Sequence, residues 1–407
     1  MTQTPPRTQD HMWHDLGIPE ETIALRKQIR QAVVERVAPH ARDIGQREES
    51  AESFPWKAFR GLAEAGAFAV PFGPDFGLGL EFPLLGTCTT TEEIAYHSSS
   101  MAGVYDGQCI LVPKALSFAS DELRARLIPG LVSGELVFSF ATTEPDASSD
   151  LSAGALRTTA EETAEGFVIN GRKRWITNSP VADWVTVLCR SGSAMTMFAV
   201  DLKNSPGVRI GKPDLKMGHR GQLTADIAFD NVLVPRDNVL GGVGRGLSVA
   251  LATLTYGRIG IAAAGVGVAQ AALDLAVDRT RSRHLFGKPL GAMQHWQYRL
   301  AQRATELDCA RTLYQKAALR VDRGERVPEP EAAMAKAYAT RLAGDMARDA
   351  IQVFGGYGFA REISETGETF RLEELYRDAK VLEIFEGANE VLLWVVARQL
   401  IGRDVTG

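Results

Sequence analysis

Only four cysteines occur in the 407-residue chain, Cys88, Cys109, Cys189 and Cys309, and no two of them form a CxxC pair. The seven histidines show no ligand-like clustering either. Buried free thiols are therefore expected, and a metal site or disulfide framework is not. An excess of positive charge is also lacking: 45 Lys+Arg are interspersed with 50 Asp+Glu, giving a net charge of −5. Nucleic acid and anionic membrane need a concentrated basic patch, so both are excluded as partners. No apolar run approaches the roughly 20 residues of a membrane span. The first 17 residues are polar, with Pro5, Pro6, Asp10 and Asp15 and no apolar signal core, which predicts a cytoplasmic protein.

What is present is an ordinary globular composition, 45% hydrophobic and 23% charged. The length exceeds one core and predicts two or three associated units. Periodicity divides the chain into three zones. From about Glu20 to Glu135 it is helical: Ile23, Ile29, Val33, Val34 and Val37 recur among charges, and Trp56–Phe68 and Leu84–Tyr96 suit helices. From about Val137 to Val239 it is β-prone. Gly166–Ile169, Asn170-Gly171 and Arg172–Thr177 read as a hairpin with a primed turn, and Val185–Cys189, Met197–Val200 and Ile227–Val234 as further strands. After the glycine-rich joint Gly241–Gly246, helices are expected over Leu247–Arg281, Gln294–Arg323, Glu331–Phe354 and Leu382–Ile401, with a Pro-Glu-rich joint at Val327–Pro330. The predicted class is α+β, mostly α: an N-terminal helical domain (1–136), a central antiparallel β-barrel or sandwich (137–245) and a C-terminal helical bundle (246–407).

Four segments carry candidate chemistry. Phe140–Asp150 (FATTEPDASSD) is dense in hydroxyls and small residues; it suits either a loop laid against a polar planar ligand or a surface turn. Arg172–Asn178 (RKRWITN) sets Trp175 beside Thr177 at a strand end; the indole belongs to a site or to the core. Gln352–Phe359 (QVFGGYGF) ends a helix with paired glycines, as a C-cap or a place where a cofactor approaches bare backbone. Ile384–Val391 (IFEGANEV) puts Glu386 between apolar residues just before a helix. That glutamate is either a cap or a base whose pKa an apolar site raises.

Taken in order with Arg283–Leu290 (RHLFGKPL), Gln294 and the RDAK…EG segment Arg377–Gly387, these motifs make the chain resemble the acyl-CoA dehydrogenase family over nearly its whole length. The resemblance implies three domains ending in a four-helix bundle, an FAD cofactor, and a homo-oligomer, usually a dimer of dimers, that shares each FAD across an interface. It implies that Phe140, Thr142, Thr143, Ser148, Ser149, Trp175, Ile176 and Thr177 cradle the flavin ring, with Thr177 near N5. Arg283, Phe286, Gln294, Gln352, Val353, Gly355 and Gly356 would grip the pyrophosphate and adenosine, partly from a neighbouring subunit. Ala388 and Glu390 would touch FAD again, and Ser149, Tyr256, Arg258 and Gly387 would line the acyl-CoA channel. Glu386 falls at the family's most frequent base position. Some relatives place a glutamate immediately before the arginine matching Arg258, where this chain has Gly257.

The activity so implied is α,β-dehydrogenation of an acyl-CoA to a trans-2-enoyl thioester, with Glu386 taking the α-proton, flavin N5 the hydride, and an electron-transferring flavoprotein the electrons. Asp146 and Ser148 stand where the family often has glycines, Ala388 where it often has threonine, and Ala360–Phe370 is longer than the usual link. These departures favour an unusual acyl group, short, branched, cyclic or functionalised. An oxygen-using oxidase or monooxygenase of the same fold, and a carrier-protein-bound acyl substrate, are the alternatives.

Overall fold

The computed structural model describes residues 7–8, 17–147, 149–325 and 329–406. Expectations for most of the first 16 residues, for Ser148 and for 327–328 of the Pro-Glu joint lie outside them. Four helices dominate the N-terminal zone: α1 (Glu20–Arg36), α2 (Pro83–His97), α3 (Ser99–Asp106) and α4 (Asp121–Ser133). In α1 the predicted stripe is buried at Ile29 and Val33, but Val34 is exposed, because it lies one residue round the helix from the buried face. The helix expected over Trp56–Phe68 is shorter, Trp56–Glu64, since Gly66 turns left-handed (φ 80°) and a 3-10 turn follows.

Eight strands then form one sheet: β1 (Phe138–Ala141), β2 (Thr159–Thr163), β3 (Gly166–Thr177), β4 (Trp184–Ser191), β5 (Ala194–Asp201), β6 (Val208–Ile210), β7 (Thr224–Val234) and β8 (Val239–Leu240). Their order is β6-β7-β3-β2-β4-β5-β8, with β1 beside β4. Most neighbours are antiparallel; β1 and β2 meet β4 in parallel. The rings of Phe167 on β3 and Phe198 on β5 lie 5.0 Å apart although β2 and β4 separate these strands in the sheet. The sheet therefore curls on itself around a common core.

The hairpin expected at Asn170-Gly171 is not formed. β3 runs straight through it, and the turn lies at Ala164-Glu165 between β2 and β3. Asn170-Gly171 is instead a bulge against β7, where the register shifts between Ile169 and Gly171. The Asn170 side chain accepts from the Asn231 backbone N–H at 2.8 Å, so tertiary pairing takes up the turn chemistry.

The C-terminal zone holds α5 (Gly246–Ser282), α6 (Gln294–Asp322), α7 (Glu329–Phe354), α8 (Leu372–Leu382) and α9 (Asn389–Ile401). The long helices α5, α6 and α7 pack on one another, α9 and α8 pack on α7, and α2 packs on α5. Contrary to the composition reading, α5 is long and apolar enough to cross a membrane, but 94% of its most apolar window is buried inside the protein. It is the central core helix. The single helix expected over Leu382–Ile401 is broken: α8 ends at Leu382 and α9 begins at Asn389, with Glu386 (φ 55°) and Gly387 (φ 101°) in left-handed backbone between them. Cys88, Cys109 and Cys189 are buried free thiols, whereas Cys309 is exposed on α6.

Candidate active site

One cleft of about 1510 Å³ lies where β1, β3, α5, α7 and the α8–α9 turn converge. Phe140, Thr142, Thr143, Ser149, Trp175, Ile176, Thr177, Arg258, Glu386, Gly387 and Ala388 line it. The chain thus gathers residues of the first, second and fourth motifs, which are up to 248 positions apart (Phe140 to Ala388), around one space.

At the floor, the Oε2 atom of Glu386 is buried and has no hydrogen-bond partner among the described residues. Burial raises the Glu386 carboxyl above its usual range, while Asp106, Lys336 and Arg258 pull it back. Asp106, at the end of α3, faces the same carboxylate and is itself pushed well up, first by burial and then by the charge of Glu386. Two buried carboxyls that face each other cannot both ionise cheaply, and both are pushed up, Asp106 well above its ordinary value.

The turn that presents Glu386 is gripped from below. Arg258 Nε donates to the Glu386 carbonyl at 3.3 Å. Lys336, fully buried on α7, donates to the Gly387 carbonyl at 2.8 Å and to Asn389 Oδ1 at 3.1 Å. Burial drops the Lys336 ammonium to about 7. A non-glycine residue in left-handed backbone costs roughly 1–3 kcal/mol, and these two cations hold the carbonyls that such a turn exposes. Sequence reading missed Asp106 and Lys336. Their signal, a charged residue in an otherwise apolar helical stripe, exists but does not say what it faces.

Elsewhere on the cleft lining, a register shift between Lys173 and Ile176 lets Trp175 adopt φ 56°. The indole is 57% exposed, so it is not core. Thr177 ends β3 with its carbonyl held by Ser139 Oγ at 2.8 Å. The loop Phe140–Asp150 is anchored from behind. Glu144 accepts from the backbone N–H groups of Arg157 (2.6 Å) and Thr158 (3.0 Å) and from Lys173 Nζ (2.8 Å). The motif's glutamate is therefore a buried anchor, which leaves the hydroxyl residues around it to face the cleft.

Several expected residues lie elsewhere in this chain. Tyr256 is outside the cleft lining, with Lys114 Nζ 4.5 Å from its ring centre. Glu390 is exposed in the first turn of α9. Arg283 caps α5, and Phe286, 93% exposed, tips a two-stranded loop whose strands are His284–Leu285 and Lys288–Pro289. Gln294 starts α6. Gln352 and Gly356 are exposed, Val353 is buried, and Gly355 (φ 65°, ψ −137°) stands just past the end of α7, outside the αL conformation that the capping alternative expects.

The exposed indole, the hydroxyls of Thr142, Thr143, Ser149 and Thr177, and the unpartnered Thr224 Oγ1 on the cleft wall suit a large, planar, polar cofactor. Three family models match in succession: acyl-CoA dehydrogenase N-terminal domain over residues 19–135, middle domain over 139–232 and C-terminal domain over 244–401. A 3-(aryl)acrylate reductase of Clostridium sporogenes is 35% identical over 94% of this chain and 99% of that protein. A cyclohexane-1-carbonyl-CoA dehydrogenase of Geobacter metallireducens is 34% identical over 94% and 98%. The butyryl-CoA dehydrogenase structure from Megasphaera elsdenii superposes with a TM-score of 0.87 at 29% identity, covering 95% of this chain and all of that one. The chain belongs to the acyl-CoA dehydrogenase family and is an oxidoreductase whose cofactor is FAD.

Proposed function

We propose that the protein catalyses α,β-dehydrogenation of an acyl-CoA thioester, with Glu386 as the base. The observation that carries this reading is the Glu386 carboxylate: buried and unpartnered at Oε2, raised in pKa, and lining the same cleft as Trp175 and Thr177. A thioester α-C–H is weakly acidic, so a base tuned upward toward working pH is the chemical requirement. Among the described residues the Glu386 backbone N–H donates to no protein acceptor, which leaves it free for the thioester carbonyl as charge develops there. FAD supplies the hydride acceptor. Phe140, Thr142, Thr143, Ser148, Ser149, Trp175, Ile176 and Thr177 hold its ring system, Ala388 touches it after the base, and Ser149, Arg258 and Gly387 flank the thioester.

The groups remote from this cleft, Arg283, Phe286, Gln294, Gln352, Val353, Gly355 and Gly356, serve the FAD of a second subunit in a homo-oligomer. The near-complete exposure of the Phe286 ring supports that reading. Electrons leave to an electron-transferring flavoprotein, and the enzyme works in the cytoplasm. The names of the cyclohexane-1-carbonyl-CoA and aryl-acrylate relatives support a cyclic or aryl-bearing acyl group.

The test is anaerobic bleaching of the FAD-loaded protein by a thioester panel. Cyclic and aryl acyl-CoAs should bleach it, and a clear preference for plain straight-chain acyl-CoAs would reject the substrate class. Glu386→Gln should keep the yellow cofactor and lose bleaching by about 10²- to 10⁴-fold. Retained turnover would show that another group is the base.

A further inference from the structure

Beside Thr177 runs a line of side chains that the dehydrogenation chemistry does not use, two of which, His219 and Gln222, also reach the cleft lining. Gln222 Nε2 donates to Thr177 Oγ1 at 3.3 Å. Gln222 Oε1 faces His219 Nδ1 at 2.7 Å, and His219 Nε2 faces Ser99 Oγ at 2.7 Å. The carbonyl oxygen of an amide carries no hydrogen, so the imidazole proton must sit on Nδ1. Nε2 is then an acceptor, and the Ser99 hydroxyl donates to it. Donation therefore runs one way, from Ser99 through His219 and Gln222 to Thr177. Since the Thr177 oxygen already accepts inside the protein, its own proton is left free for the cleft that it lines.

The chain is built in place rather than left by chance. Ser99, His219 and Gln222 are 2%, 1% and 4% exposed. His219 holds a left-handed backbone (φ 51°), with its N–H on Asp378 Oδ1 at 2.7 Å. The Gln222 amide fills a notch at Gly103, where a β-carbon would come within 2.8 Å of it. Burial keeps the imidazole below its ordinary pKa and hence neutral, as a relay with one donor and one acceptor needs.

We propose that Ser99, His219, Gln222 and Thr177 form a directional hydrogen-bond chain that commits the Thr177 hydroxyl to donate into the cleft and so lowers the reduction potential of the bound flavin. This rests on the reading that places flavin N5 beside Thr177. Oxidised N5 is an acceptor and welcomes a fixed donor; reduced N5–H is itself a donor and meets the same proton unfavourably. His219, Gln222 and Ser99 act through Thr177 and are positioning residues.

The test is the reduction potential of the FAD-loaded protein, read by dye-linked redox titration. Gln222→Met keeps the shape that fills the Gly103 notch and removes both amide partners, which frees Thr177 to accept from N5–H. We expect a tenfold shift toward the reduced flavin, a rise of about 30 mV for a two-electron couple. His219→Leu should shift it in the same direction. His219→Asn, whose amide nitrogen takes the place of Nδ1, should restore the parent value. In a Thr177→Ala background Gln222→Met should add nothing further. An unchanged potential in Gln222→Met, or an equal shift with and without Thr177, overturns the relay while leaving the flavin placement intact. An unchanged potential and visible spectrum in Thr177→Ala alone overturns the placement and the relay together.

Discussion

A methyl group added to Gly257 would stand 2.0 Å from Oε2 of Glu386. Helix α5 thus contributes a gap, and the carboxylate fills it from the far end of the chain. Position 257 is also where some family members carry a glutamate of their own. The two positions compete for one volume, so a chain with glycine at 257 has room for the glutamate at 386. Gly257→Ala must displace the carboxylate by about an ångström, and a misplacement of that size costs on the order of 10²-fold in rate. Stopped-flow reduction by a thioester, with FAD content measured alongside, checks this. An unchanged rate would mean that the carboxylate does not rest against α5 when it acts.

The pH profile of flavin reduction follows from the buried acid pair. Protonating Glu386 abolishes the base, so the rate rises with pH. Because burial raises this carboxyl, the rise occurs above the usual carboxylate range. Asp106, facing the same carboxylate, pulls the Glu386 pKa down. Asp106→Asn keeps a donor and should leave the midpoint near its parent value, whereas Asp106→Leu removes the donor and should move it to higher pH. A midpoint indifferent to both changes would separate the two carboxyls.

Lys336 ties stability to pH. Its ammonium titrates at about 7 in the fold, against about 10.4 in an unfolded chain. Between those values the unfolded chain holds a proton that the folded chain has released, so this group makes stability increase as pH rises through that window. Lys336→Met should flatten the rise, visible as a smaller gain in Tm between pH 7 and pH 9. It should also slow flavin reduction, because the Gly387 carbonyl loses its donor. A variant with the parent's pH slope would exclude Lys336 as its source.

The anchor behind the flavin loop predicts a large stability effect from one substitution. Lys173 and Glu144 are 0% and 3% exposed and 2.8 Å apart. Lys173→Met leaves a buried carboxylate without its counter-charge, a change that typically costs about 3–5 kcal/mol. Denaturant unfolding should show that loss, and Lys173→Met/Glu144→Gln should recover part of it. A near-neutral single variant would mean that water already reaches the pair.

Much of this was legible beforehand, and the failures have a common cause. The helical, β and helical zones follow from local periodicity, and the chemistry-bearing segments stand out by composition. Asn170-Gly171 misled because a turn-favouring pair also fits a bulge, and pairing with β7 chose the bulge. The α8–α9 break was missed because Leu382–Ile401 has no proline to announce it; α7 imposes it by holding the Gly387 carbonyl. His219 and Gln222 carry no local signal, since their partners Ser99 and Thr177 lie at distant positions in the chain.

By itself the sequence determined which segments are helix or strand, which family they compose, and that a glutamate at 386 is the candidate base. Those are properties of short windows and residue types, which local sterics and hydrophobic spacing control. The tertiary structure alone decided that Glu386 rests against Gly257, that Asp106 faces the same carboxylate, and that Lys336 and Arg258 grip its turn. Burial and charge proximity depend on where distant segments meet, and no spacing along the chain encodes a carboxylate's surroundings.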